Sequence, residues 1–130
     1  MFELPVVRGV FLCENVIVEE RSRNVSLINC FTRKLVDEFP SSPQRLVVYA
    51  VFANGLGKIP IELEIIDLAD EELVYWQLAS VTFTDPVQEV RFVYRVHDLT
   101  LPQPGSYEVT LSSNGEPLGR TRFLAVSTGN

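Results

Sequence analysis

The stretch FLCENVIVEERSRNVSLINCF, from Phe11 to Phe31, holds both cysteines of the chain. It reads as two strands joined by the charged run Glu19–Asn24. Pairing its halves about Arg21 and Ser22 sets Val18 against Val25, Val16 against Leu27 and Leu12 against Phe31. Those six apolar residues fall on one face, which supports the register. The same register places Cys13 opposite Cys30 on the other face, near Phe11, Ile17 and Ile28. It also sets Glu14 against Asn29, a polar pair in an apolar row that needs internal hydrogen bonds if buried. A slip of one residue would turn every side chain over, so the buried face decides.

The same chemistry continues along the chain. Runs rich in Val, Ile, Leu, Phe, Tyr and Thr alternate with turn sequences such as FPSSP, NGLG, TDP, PQPG and SNGEP. The expected strands are Val7–Glu19, Val25–Val36, Arg45–Ala53, Ile59–Ala69, Leu73–Thr84, Val87–Leu99, Tyr107–Ser113 and Leu118–Ser127. EFPSSPQR, Glu38–Arg45, has room for one helical turn. The spacing predicts an all-β fold, an antiparallel immunoglobulin-like sandwich of seven to nine strands, as one domain over residues 1–130.

Side-chain parity refines this picture. Val47–Ala53 is apolar on both faces, which suits a central strand or one flanked by a partner. Val90, Phe92, Tyr94 and Val96 point inward; Glu89, Arg91, Arg95 and His97 point outward, with Val93 breaking the outer row. Parity shifts in ELEIID and in VYWQLASVTF suggest β-bulges or two-sided burial. In the last hairpin, Asn114-Gly115 alone suggests a two-residue turn. A three-residue loop, Asn114–Glu116, better matches the buried face, because it pairs Tyr107 with Phe123, Val109 with Thr121 and Glu108 with Arg122.

Composition sets limits on function. A chain of 130 residues, 46% apolar and 22% charged, can fold without metal or disulfide. Its net charge of -6 disfavours nucleic acid and anionic membranes as partners. No signal-peptide pattern opens the sequence and no apolar run nears the length of a spanning helix. The expectation is a cytoplasmic protein with Cys13 and Cys30 as packed thiols, a disulfide being the alternative.

Reactive constellations are scarce. His97 is the one histidine, it lies in a charged outward row, and no nucleophile motif accompanies it. The expectation is no enzyme and no cofactor. Asp67, Asp70 and Glu71 form an acidic turn, a weak calcium candidate, with Asp37 and Glu38 at the same end. Asn54–Lys58 is Gly-rich but lacks nucleotide-motif spacing, so it reads as a loop needing positive φ. Tyr75 and Trp76 face opposite ways; the exposed one can stack on a sugar or anchor a protein.

Gln103–Val126 resembles the closing hairpin of immunoglobulin-like sandwiches, with Tyr107 placed like a tyrosine corner. LCENVIVEERSRNVSLINCF, VVYAVFANGLGKIPIELEIID and PGSYEVTL together resemble an uncharacterised family of small bacterial proteins, a domain of unknown function. That resemblance implies a stand-alone cytosolic sandwich and carries no catalytic residues. The expected function is a non-catalytic binding or scaffold module acting through protein–protein contact, including self-association as a homodimer. The alternatives are a carbohydrate or small-ligand module and a calcium- and lipid-responsive domain.

Overall fold

The computed structural model describes residues 3–129 and contains nine strands and no helix among them. They are β1 (Val6–Val18), β2 (Val25–Cys30), β3 (Arg33–Val36), β4 (Gln44–Ala53), β5 (Gly57–Asp67), β6 (Glu72–Phe83), β7 (Glu89–Leu99), β8 (Gly105–Ser113) and β9 (Glu116–Ser127). One sheet has the order β2-β1-β4-β7 and the other β3-β9-β8-β5-β6. All pairings are antiparallel except β3 with β9. Five strands keep immunoglobulin order: β4 lies beside β7 in one sheet, while β5, β8 and β9 adjoin in the other and β6 extends it.

The inner faces make one apolar core. Alternate residues Ile59, Ile61, Leu63 and Ile65 of β5 meet Val48, Ala50 and Phe52 of β4 with Phe92 and Val96 of β7. Glycine lets the sheets approach at one point. A β-carbon on Gly119 would lie 2.9 Å from Val7 Cγ1 and 3.0 Å from Val10 Cγ2.

The expected strand Val25–Val36 is two strands. β2 pairs with β1, the chain leaves that sheet after Cys30, and β3 joins the other sheet beside β9. No helical turn forms in Glu38–Arg45. Ser41 instead ties the segment to Leu101 by a backbone bond of 2.9 Å and a side-chain bond of 2.8 Å.

The final hairpin combines both readings of its loop. Tyr107↔Phe123, Glu108↔Arg122 and Val109↔Thr121 pair as expected. The turn itself is the two-residue Asn114-Gly115, with φ of 50° and 82°. A register shift between Leu111 and Ser112 leaves Leu118 as the extra residue. The three-residue loop is therefore corrected: a bulge absorbs the residue that the buried face required. β6 likewise carries one bulge, at Val74, where Ile65 pairs with Tyr75 and Ile66 with Leu73. No second break lies between Leu78 and Val81, so Trp76 and Leu78 stay on the outer face.

Candidate functional site

The first hairpin keeps its expected register, with Cys13↔Cys30, Val16↔Leu27 and Val18↔Val25 paired. Its apolar row is nevertheless split. Leu12 and Phe31 join the core between the sheets. Val16, Val25 and Leu27 instead pack with Cys13, Val47 and Val93 in a second cluster. The change of side occurs at Glu14 and Asn29, where Asn29 takes a left-handed φ of 52°. Asn tolerates that conformation, and the bend swings the far half of the hairpin over the outer face of β4 and β7. Arg95 Nη2 bonds the Val16 carbonyl at 3.2 Å and Arg91 Nη1 the Arg23 carbonyl at 2.7 Å. Glu14 and Asn29 are exposed, so they are not the buried polar pair expected.

This arm explains why β4 is apolar on both sides: part of its outer row is covered by the chain itself. The thiols differ accordingly. Both are free; Cys13 is buried and Cys30 exposed. The expectation that both are packed holds for Cys13 alone. Burial, then the neighbouring Cys30, pushes the Cys13 thiol up from its usual range.

The acidic turn lies between β5 and β6. Asp67 is fully buried; its Oδ1 accepts from Ala69 N at 3.0 Å and its Oδ2 from Gln103 Nε2 at 2.8 Å. Asp70 Oδ1 accepts from Glu72 N at 3.2 Å, and Glu71 holds a φ of 57°. These carboxylates order the turn. Asp37 sits at the same end but beside β9, two strands from β5. Among the described residues no three His, Cys, Asp or Glu side chains gather as metal ligands.

Beside that turn, Tyr107 Oη donates to the Gln103 carbonyl and accepts from Gln103 N at 3.3 Å. A tyrosine at the start of the strand bonding back to upstream backbone is the tyrosine corner that the sequence suggested.

Tyr75 and Trp76 separate as expected. Tyr75 turns inward, with its hydroxyl 3.3 Å from that of Tyr94. Trp76 stands on the outer face of β6, 48% exposed, next to exposed Leu73 and Leu78. Its cross-strand neighbour is Glu64. Beside Leu78 a shallow groove runs along Lys58, Pro60 and Ser80.

The four sheet edges differ in chemistry. β2 has six residues and β3 four, including Arg33 and Lys34. β7 carries Glu89, Arg91, Arg95, His97 and Asp98. β6 has twelve residues and no charge from Leu73 to Phe83. Charge and shortness are the usual protection of an edge; β6 is long and its one charge, Glu72, stands at its start.

A sequence model of a family of unknown function, DUF6941, matches residues 8–126. The chain belongs to this family. No curated protein matches it. Among solved structures, β-glucosidase from Listeria innocua in complex with glucose has a TM-score of 0.50 at 12% identity, over 96% of this chain and 16% of that one. The same enzyme in a second structure gives the same values. A β-glucosidase from Kluyveromyces marxianus has a TM-score of 0.47 at 11% identity, over 81% of this chain and 16% of that one. The chain thus spans about 16% of the length of these enzymes. At such identity the likeness is one of fold alone. Within the described part of this DUF6941 chain, no helix is long and apolar enough to cross a membrane.

Proposed function

We propose that this chain is a non-catalytic binding module that works by strand pairing along β6, with a second copy of itself as the occupant. The observation that carries the reading is the edge itself: long, uncharged from Leu73 to Phe83, and exposing Leu73, Trp76 and Leu78. An edge of this kind offers backbone N–H and C=O groups to another strand.

A two-fold axis at Gln77 supports the second copy. Antiparallel pairing there sets Trp76 against the partner's Leu78 on the outer face, and Tyr75 against the partner's Ala79 on the inner face. Large residues meet smaller ones, and no like charges meet, since the strand has none there. The Val74 bulge lies outside this stretch and leaves Tyr75–Phe83 regular.

Sedimentation equilibrium tests it. The expected result is a mass that rises from monomer to dimer with concentration. Gln77→Lys puts like charges at the axis on an exposed side chain, so it should give a monomer that melts like the wild type at dilutions where that too is monomeric. A wild-type monomer at millimolar concentration rejects the reading. A dimer insensitive to Gln77→Lys also rejects β6 as the edge used.

A further inference from the structure

The lift of the hairpin arm from its sheet leaves a cleft of about 380 Å³ on the outer face of β4 and β7. Glu14, Asn15 and Ile28 of the arm form one wall. Arg45, Arg95 and His97 line the other side. Arg95 pairs across with Val47, and His97 lies two residues further along β7, on the same outer face. Arg45 lies two residues before Val47 on β4, so three donor-bearing side chains converge on one mouth.

Charge in this cleft runs against the molecule as a whole, whose net charge is -6. The ion pairs among the described residues use Arg8, Arg120 and Arg122. Among the described residues, neither Arg45 nor Arg95 has a carboxylate within 4.0 Å. Glu14 is the single acid among the described lining residues; burial lowers the pKa of nearby Lys34, and the Glu14 charge offsets part of that. Lys34 Nζ also bonds the Arg45 carbonyl at 3.1 Å, which helps to fix the backbone there. Arg95 is held in place by Val16, and a guanidinium has further donors to offer.

Beside these cations lies apolar surface. Ile28 is exposed, and Val47 forms part of the floor. Cationic forks next to an apolar wall suit an anion with an apolar body. We propose that the cleft binds a small organic acid, its carboxylate on Arg45, Arg95 and His97 and its apolar part against Ile28. This site lies on the opposite sheet from β6 and stands or falls apart from the dimer.

The test is a titration of labelled full-length protein, followed by amide and side-chain NMR shifts. The probes are hexanoate, inorganic phosphate and hexylammonium. The expected result is saturable shifts at Arg45, Arg95, His97 and Ile28 with hexanoate and none with hexylammonium. Phosphate should bind at least tenfold more weakly, because it lacks the apolar body. Arg45→Gln should weaken hexanoate at least tenfold with an unchanged melt, since no described bond uses that side chain; Arg45→Lys should fall between. No saturation by tens of millimolar hexanoate overturns the proposal. Equal binding of phosphate overturns the organic-acid assignment, and equal binding by Arg45→Gln overturns the site.

Discussion

Arg95 donates to the Val16 carbonyl at 3.2 Å, so a side chain of β7 grips β1, a strand that β7 does not pair with. The bond holds the hairpin arm over Val47 and Val93. Arg95→Met removes a charged donor and leaves the apolar stem. The expected cost is about 1–2 kcal/mol in urea denaturation. Hydrogen exchange should localise it: amides of Asn15–Val18 and Val25–Ile28 lose protection first. Uniform loss across both sheets would show that the clamp does not act on the arm.

Much of this arrangement was legible because strand pairing has a period of two. That period gave the hairpin register, the inward row of β7 and the partners of Tyr107. The arm was not legible, because its bend depends on one residue, Asn29, taking a left-handed φ. Asn permits that conformation without announcing it. The break after Cys30 was hidden for a similar reason: Phe31 and Thr32 have strand chemistry but serve as the passage between sheets. The basic cleft was missed although each outward residue of β7 was read correctly. Arg45 is far from Arg95 in sequence, and only strand order joins them. Its outward parity on β4 was the available signal.

Gly119 is required for the distance between sheets, not for its backbone freedom. Alanine there would force Val7 and Val10 apart, and both are branched side chains packed against the core. The expected loss is about 1–3 kcal/mol of unfolding free energy in denaturant titration, as for other overpacked sites. Gly119→Ala with Val10→Ala should recover part of it, because the second change opens space beside the new methyl. No loss in the single variant would mean the sheets shift freely at this point.

The tyrosine corner predicts an alkaline limb of stability. Burial first, with nearby Asp67, Asp70 and Glu72 adding, pushes the Tyr107 phenol up. Burial also raises Tyr75, helped by its bond to Tyr94 and the charge of Asp98. Both phenols therefore ionise more readily in the unfolded chain. Above about pH 10 the unfolded chain binds fewer protons, so stability falls as pH rises. Below that pH the contribution is fully present. Tyr107→Phe should cost about 1–3 kcal/mol at neutral pH, because the Gln103 carbonyl and N–H lose their partner. Tyr75→Phe and Tyr107→Phe together should flatten the alkaline limb. An unchanged slope in the double variant would assign that limb to other groups.

The two thiols supply a local probe of the arm. Cys13 and Cys30 are direct cross-strand neighbours, yet one is buried and the other open to solvent. Cys13 packs with Val16 and Val47, its Sγ 3.9 Å from the Val47 carbonyl. Its raised pKa adds to steric protection, because the thiolate is the reactive form. A disulfide-exchanging colour reagent should consume one thiol per folded chain quickly. Cys30→Ser should abolish that fast phase. The slow thiol should appear as urea opens the chain, and faster in Arg95→Met if the arm lifts before the sheets part. Rapid reaction of both thiols in the folded protein would show that the arm does not stay closed over Cys13.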